Sequence, residues 1–85
     1  MYELFLENNV IKFLSKLNKD LSKRIFDKIE TLRINPTPPD SKRLVNVKDK
    51  VFRIRVGDYR VLYRIEGNTV VIVFLIDKRS RVYNR

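Results

Sequence analysis

The chain has 85 residues, with 19 Lys plus Arg against 10 Asp plus Glu, a formal net charge of +9, and neither Cys nor His. This length fits one domain, which buries about 60 to 65% of the surface of its extended chain. The lack of Cys and His excludes a disulfide framework, zinc fingers, and catalytic sites built on a thiol or an imidazole.

The first predicted element is a strand over Met1 to Leu6. Tyr2, Leu4 and Leu6 alternate there with Glu3 and Phe5, as in a half-buried strand. No basic and then apolar signal segment opens the chain, so we expect a cytoplasmic protein.

Two helices follow. Apolar residues recur at helical spacing from Val10 to Leu17 and again from Leu21 to Leu32. Asn18-Lys19-Asp20 separates the two runs, and we expect Asp20 to cap the second helix. Asn35-Pro36 closes that helix, because the proline ring disfavours helical geometry in the residue before it.

The second half predicts an antiparallel meander of three strands. Val51 to Val56 and Tyr59 to Ile65 flank Gly57-Asp58, which suits a type II′ hairpin turn. In the register that this turn sets, one face is core and pairs Val56 with Tyr59, Ile54 with Val61 and Phe52 with Tyr63. The other face pairs Arg55 with Arg60, Arg53 with Leu62 and Val51 with Arg64. We call it the arginine face, after Arg53, Arg55, Arg60 and Arg64.

Two cations therefore face each other across the hairpin. Directly opposed like charges destabilise a sheet by an amount comparable to the roughly 0.2 to 1 kcal/mol that a favourable pair contributes. Stability alone does not select an arginine at both Arg55 and Arg60.

The last predicted strand, Thr69 to Ile76, is apolar on both faces and should be central in the sheet. Its apolar run is far shorter than the roughly 20 residues that span a bilayer, so we expect no membrane partner. A two-residue turn at Gly67-Asn68 would set Leu75 beside Arg60 and Val73 beside Leu62. The arginine face would then have an apolar floor of Leu62, Val73 and Leu75, whereas a three-residue turn would turn every side chain over.

The predicted fold is α+β. An N-terminal strand and a helical hairpin precede the three-stranded antiparallel meander, and the strands form one sheet with the helices packed on one face. Residues 1 to 40 hold 7 basic and 6 acidic side chains, whereas residues 41 to 85 hold 12 and 4. Such a basic half favours a polyanion or an acidic protein as partner, the alternative being a contribution to solubility alone.

One group of side chains in the basic half points to chemistry: Arg53, Arg55, Arg60, Arg79 and Arg81, with Tyr83. Arginine stays protonated, and its planar set of donors matches phosphate oxygens, so it binds anions but accepts no proton. Tyr83 is the candidate for proton transfer, because neighbouring cations favour the phenolate and lower the pKa of a phenol. Tyr59 and Tyr63 lie on the core face and are expected to be structural.

The reaction that fits these residues best is cleavage of RNA by its own ribose. The 2′ hydroxyl attacks the adjacent phosphorus, and the negative charge that develops there needs cationic donors already in place. We expect neither a metal ion nor a cofactor. The same cations could instead bind a nucleic acid backbone without catalysis.

The stretch Phe52 to Tyr63, followed by an apolar strand and a basic segment ending Arg81-Val82-Tyr83, resembles the RelE-type toxins of the RelE and ParE toxin-antitoxin superfamily. The resemblance extends over residues 1–85 as one RelE-like toxin domain, although only residues 52 to 83 carry its motifs. It implies an mRNA endonuclease that cuts the codon in the ribosomal A site and leaves a cyclic phosphate. The implied partners are the ribosome with its mRNA and a small, acidic, RelB-like antitoxin.

The resemblance also implies roles for individual residues. Arg60 matches the arginine of a Gly-Asp-Tyr-Arg motif, Arg79 is preferred to Arg81 as the tail arginine, and Tyr83 matches a catalytic terminal tyrosine. Arg55 falls where many members place a basic residue. The implied catalytic residues are Arg55, Arg60, Arg79 and Tyr83, and the implied RNA-binding residues are Arg53, Arg64, Lys78 and Arg81.

Two departures from the family pattern and two alternatives accompany this hypothesis. Arginine at Arg53 and Arg55, where lysine is common, removes a group that could move protons. The chain ends two residues after Tyr83, so we expect an antitoxin to cover the arginine face directly rather than to move a C-terminal helix.

The alternatives are a ParE-like gyrase inhibitor, whose relatives usually lack the tail arginine and tyrosine, and a basic RNA-binding module without catalysis.

Overall fold

The structure is a computed structural model that describes residues 1–44 and 50–78. Strand β1 spans Glu3–Leu6 and is followed by helices α1, Asn8–Ser15, and α2, Lys19–Glu30, and by a short 3-10 helix, Thr31–Arg33. The remaining strands are β2, Lys42–Arg43, β3, Lys50–Val56, β4, Tyr59–Glu66, and β5, Val70–Lys78. None of the helices in this part of the chain is both long and apolar enough to cross a membrane.

The strands form one five-stranded sheet in the order β1-β5-β4-β3-β2. β1 runs parallel to β5, and every other neighbouring pair is antiparallel. The α+β prediction is therefore confirmed, and the two-residue strand β2 at the edge is an addition to it. A strand of two residues carries no periodicity by which a sequence pattern could reveal it.

The core lies between the helices and one face of the sheet. Val10 and Leu14 of α1 and Ile25 and Ile29 of α2 are buried against that face. The sheet contributes the buried side chains Ile54, Val61, Tyr63, Val71, Val73 and Ile76. Each fully buried aliphatic side chain contributes about 1.5 to 3 kcal/mol, so this side of the sheet provides much of the stability of the fold.

Helix α2 begins with a different cap from the one expected. Asn18 is the N-cap residue, and its Oδ1 accepts a hydrogen bond from the backbone N–H of Leu21 at 2.9 Å. Asp20 lies in the first turn instead, so its prediction as the cap was wrong. A cap bonds to the N–H two or three residues on, and Asn18 reaches that position while Asp20 complements the helix dipole.

The hairpin of β3 and β4 has the predicted register. Arg55 lies opposite Arg60, Arg53 opposite Leu62, and the core pairs lie on the other face. Gly57 has φ +59°, in the left-handed region that glycine adopts without strain. This permits the tight two-residue turn that sets the pairing.

The register of β4 with β5 differs from the predicted one. Glu66 pairs with Val70, so three residues rather than two connect the strands. Val73 consequently lies opposite Tyr63 on the core face and is fully buried, so its prediction as part of the apolar floor was wrong. A slip of one residue turns each side chain to the opposite face of a sheet.

A β-bulge at Phe74 then changes the register a second time. Val73 pairs with Tyr63 and Leu75 pairs with Leu62, which leaves Phe74 without a partner residue on β4. Because the extra residue shifts everything after it, Leu75 lies on the arginine face as predicted. Leu75 pairs with Leu62, and Arg60 lies opposite Asp77. The predicted pairing of Leu75 with Arg60 was therefore wrong.

Candidate functional site

Three arginines lie together where β3 meets β4. Arg55 is directly opposite Arg60, and Arg53 lies two residues from Arg55 on the same face. Burial lowers the pKa of Arg53 from its ordinary value, and the positive charges of Arg55 and Arg60 lower it further. Since an arginine remains protonated even so, the three guanidinium groups repel one another, and a bound anion would reduce that repulsion. We call Arg53, Arg55 and Arg60 the arginine cluster.

A fourth cation borders this cluster and was not predicted. Strand β2 places Lys42 directly opposite Arg53, on the arginine face, and the lysine is exposed. The face therefore carries two pairs of directly opposed cations, Arg55 with Arg60 and Arg53 with Lys42. Such pairs lower the stability of a sheet, which strengthens the indication that the face binds an anion.

Arg60 is held by a bidentate ion pair with Asp77. Its Nε donates to Oδ1 at 3.2 Å and its Nη2 donates to Oδ2 at 3.1 Å. The two side chains are 26% and 39% exposed, so water screens the pair only in part. The pairing depends on the three-residue turn and on the bulge, and the sequence carries no clear signal for the bulge.

Acidic side chains are too dispersed to form a metal site in the part of the chain that the structure describes. Within residues 1–44 and 50–78, no three of them lie close enough together to hold a metal ion. Asp77 is instead engaged with Arg60, and Glu66 is engaged with Arg64.

Arg64 and Lys78, predicted to bind RNA, lie outside the arginine cluster. Arg64 is four residues along β4 from Arg60, about 13 Å at the usual rise of a strand. Its Nε donates to Glu66 at 3.0 Å, and its guanidinium lies 5.8 Å from the centre of the Phe74 ring. Lys78 is opposite Tyr59, on the helix side of the sheet rather than on the arginine face, with its Nζ 6.0 Å from the centre of that ring.

The tail residues of the predicted site are not part of the described structure. Arg79, Arg81 and Tyr83 lie outside residues 1–44 and 50–78. In the sequence, Arg79 comes two residues after Asp77, the residue that meets Arg60.

The two tyrosines of β4 serve the core, as expected. Tyr63 is fully buried, and its hydroxyl donates to the carbonyl oxygen of Pro36 at 2.7 Å. Burial raises the pKa of Tyr63 to about 12, so this phenol stays neutral and is unsuited to proton transfer near pH 7. The ring of Tyr59 meets that of Phe13 edge to face, with the ring centres 5.9 Å apart.

Apolar side chains border the arginines on the arginine face. Leu62 lies opposite Leu75, and Ile72, rather than Val73, lies on this face, opposite Arg64. Phe5 of β1 lies beside Ile72 and is 55% exposed. We call Phe5, Leu62, Ile72 and Leu75 the apolar strip. A surface that joins arginines to exposed apolar groups is suited to a protein partner as well as to RNA.

The chain is similar to toxins of toxin-antitoxin pairs over nearly its whole length. The family model for the ParE toxin of the type II toxin-antitoxin system parDE matches residues 4–83. A relative from Methanocaldococcus jannaschii, named as the toxin RelE1, is 29% identical over an alignment of 85 positions that covers 96% of this chain and 94% of the relative.

Solved structures of RelE toxins share the fold. A chain of the RelE-RelB complex from Pyrococcus horikoshii is 28% identical, with a TM-score of 0.82 over 94% of this chain and 97% of that one. A chain of the RelBE2 toxin-antitoxin complex from Mycobacterium tuberculosis is 26% identical, with a TM-score of 0.76 over 92% and 98%.

Proposed function

Since the chain belongs to the ParE toxin family of type II toxin-antitoxin systems and is a RelE-type toxin, we propose that it is an endoribonuclease that cuts mRNA in the ribosomal A site. One observation carries the proposal: Arg53, Arg55 and Arg60 are crowded on one face of the sheet, where their charges repel one another. An RNA phosphate bound among them would offset that repulsion, because each arginine can donate hydrogen bonds to the phosphate oxygens.

The proposed reaction is a transfer within the RNA. The 2′ oxygen forms a bond to the adjacent phosphorus, and the bond from that phosphorus to the 5′ oxygen of the next nucleotide breaks. The 2′ hydroxyl loses its proton to a base, and the leaving 5′ oxygen gains one. The products are a 2′,3′-cyclic phosphate and a 5′ hydroxyl, and the reaction needs neither a metal ion nor a cofactor.

The cluster supplies the cationic part of this chemistry. Arg55 and Arg60 lie on opposite strands and would hold the scissile phosphate between them, and Arg53 would add to the field. Donors placed in advance stabilise the charge that develops on the phosphate oxygens, and loss of one such donor slows related reactions by about 100-fold or more. Because arginine accepts no proton, the proton transfers need another group.

We assign that group and the remaining contacts from the sequence. Tyr83 is proposed to transfer a proton, with Arg79 beside it as a further donor to the phosphate. Arg81 is proposed to contact the RNA backbone near the cut. Arg64 and Lys78, which lie apart from the cluster, are proposed to contact the backbone farther from it.

A small acidic antitoxin is the proposed protein partner. The similar chains from P. horikoshii and M. tuberculosis come from complexes of a RelE toxin with its antitoxin, which supports a partner of that kind. Its acidic groups would meet the arginine cluster, and apolar side chains of an amphipathic helix would cover Leu62 and Leu75. Copurification with the product of the adjacent gene tests this, and isolation of the chain alone from cells that express both genes would contradict it.

The activity is tested with purified toxin and ribosomes that carry a defined mRNA. Wild type should cut the A-site codon, and folded Arg60→Ala and Tyr83→Phe variants should each cut it about 100-fold more slowly, or more slowly still. Arg43→Ala is the matched control, because Arg43 is exposed and lies opposite Phe52, on the helix side of the sheet. Full cleavage by Arg60→Ala and Tyr83→Phe would contradict the assigned roles.

Inhibition of gyrase is the second candidate function. It is favoured by the match of residues 4–83 to a family model that is named for ParE. Supercoiling by gyrase should be unaffected by this chain if it is a nuclease. Inhibited supercoiling with intact mRNA would select the second candidate, and binding of RNA that weakens with salt but cleaves nothing would select the RNA-binding module.

A further inference from the structure

We propose that Asp77 positions Arg60 for catalysis and that the bulge at Phe74 serves this role by placing Asp77 on the arginine face. The inference rests on the proposed nuclease function and adds a positioning residue to its site. Asp77 pairs with the cluster through two hydrogen bonds of 3.2 and 3.1 Å to Arg60.

The bulge is what makes this pair possible. From Glu66 to Tyr63, the pairing of β4 with β5 follows one register, in which Tyr63 meets Val73. Had that register continued, Ile76 would lie opposite Arg60, and Asp77 would lie opposite Tyr59 on the helix side. The extra residue instead places Ile76 in the core, 4% exposed, and turns Asp77 toward Arg60.

Asn9 supports the bulge from helix α1. Its Nδ2 donates to the carbonyl oxygen of Phe74 at 2.9 Å, across 65 residues of sequence. A residue that leaves the ladder of a sheet needs another partner for its backbone groups, and Asn9 supplies one. Helix α1, on the other side of the sheet, thereby helps to determine the face of the sheet on which Asp77 lies.

Asp77 acts on Arg60 from the side away from Arg55. Arg55 on β3, Arg60 on β4 and Asp77 on β5 form one row across three strands. The repulsion from Arg55 would displace Arg60, and the bidentate carboxylate fixes the plane of its guanidinium group through Nε and Nη2. A phosphate that approaches between Arg55 and Arg60 then meets donors that are already oriented.

This role separates binding from turnover. A carboxylate beside a phosphate site repels the phosphate, so Asp77 weakens binding of RNA. A guanidinium group held in the productive orientation accelerates the reaction of the bound RNA. Removing the carboxylate should therefore strengthen binding or leave it unchanged while it slows cleavage.

The test is single-turnover cleavage of A-site mRNA on programmed ribosomes, with the toxin in excess and over a range of toxin concentrations. At saturation Asp77→Ala should cleave about 10- to 100-fold more slowly than wild type, since a displacement of about 1 Å can cost about 100-fold. The toxin concentration at half-maximal rate should be unchanged or lower. Asp77→Asn keeps the shape and one carbonyl oxygen, and it should cleave at an intermediate rate.

Two further variants separate positioning from other roles. Asn9→Ala removes the support of the bulge without changing the net charge, so it should slow cleavage in the same direction as Asp77→Ala. Asp77→Ala should slow cleavage no further in a protein that already carries Arg60→Ala, because its effect acts through Arg60. Asp27→Ala is the matched control: Asp27 pairs with Lys23 at 3.0 Å on exposed helix surface, and its loss changes the charge equally.

Each outcome has a definite consequence. If wild type cleaves and both Asp77→Ala and Asn9→Ala match it, the role of Asp77 is refuted and the nuclease function stands. Faster cleavage by Asp77→Ala would refute positioning, because the carboxylate would then restrain Arg60. A double variant slower than Arg60→Ala would show that Asp77 acts independently of Arg60. Absence of cleavage by wild type would overturn the function and the inference together.

Discussion

Replacing Arg55 with threonine should stabilise the fold while it impairs cleavage. Arg55 lies directly opposite Arg60, and its charge also lowers the pKa of Arg53, so its removal relieves repulsion on both strands. An opposed pair of like charges costs roughly 0.2 to 1 kcal/mol in a sheet, and threonine keeps a good propensity for strands. We therefore expect the free energy of unfolding to rise by roughly that amount.

The measurement is urea denaturation, together with thermal unfolding, of the purified chain. For a domain of this size, 1 kcal/mol corresponds to a shift of the melting temperature of about 4 to 8 °C, so we expect an increase of about 1 to 8 °C. The difference between variant and wild type should shrink at high salt, because salt screens charges at a surface. Cleavage of A-site mRNA by the same protein should fall about 100-fold.

The control for this experiment is Arg43→Thr. Arg43 is also exposed and also lies in a strand, but it faces the helix side, opposite Phe52, and away from the arginine cluster. It should show no salt-dependent gain in stability and no loss of cleavage. If Arg55→Thr is less stable than wild type, or gains no more than Arg43→Thr, the idea that the cluster is held together against repulsion is refuted.

Three further predictions follow from contacts elsewhere in the chain. Tyr63→Phe removes the hydrogen bond to the Pro36 carbonyl and should lower the free energy of unfolding by about 0.5 to 1.5 kcal/mol without changing cleavage. The pKa of Tyr63 is raised to about 12 from the ordinary value of 10, so its contribution to the free energy of unfolding is complete below pH 10 and is lost as the pH rises toward 12. Denaturation of wild type should show this loss, and denaturation of Tyr63→Phe should not. Asn18→Ala should destabilise the fold by about 1 kcal/mol in urea denaturation, because it removes the cap of α2, and an unchanged midpoint would contradict the capping role. Lys42→Ala should reduce the salt dependence of RNA binding by one phosphate contact, about 0.7 in the log-log slope, and an unchanged slope would place Lys42 outside the RNA contact.

The hairpin register was predictable from the sequence because its determinants are local. Gly57 provides the positive φ that a two-residue turn requires, and the alternation of apolar residues on both flanking strands then leaves one register that buries Ile54 and Val61. The opposition of Arg55 and Arg60 follows directly from that register.

The register of β5 was not predictable, because its determinants are distant or weak. The strand is apolar on both faces, so a slip of one residue changes no pattern, and Val73 and Ile72 exchange faces without penalty in the sequence. The bulge at Phe74 is supported by Asn9, which lies 65 residues away. The pairing of Arg60 with Asp77 depends on both features, so the sequence alone showed an arginine cluster without the acid that orients it.

One face of the sheet builds the core, and the other carries the arginine cluster. Ile54, Val61 and Tyr63 anchor one side of the hairpin in the core, which permits the residues between them to carry charges that repel. The side chains on the arginine face thus gain an orientation that an isolated hairpin could not maintain, since a lone two-stranded hairpin is marginally stable in water.

The most direct measurement is the structure of this toxin on a ribosome whose A-site mRNA carries a 2′ deoxy nucleotide, which prevents cleavage. We predict that oxygens of the phosphate that follows this nucleotide lie within hydrogen-bonding distance, about 2.7 to 2.9 Å, of guanidinium nitrogens of Arg55 and Arg60. In that structure Asp77 should still contact Arg60. A phosphate bound elsewhere, with the arginine cluster facing solvent or ribosomal protein, would contradict the proposed site.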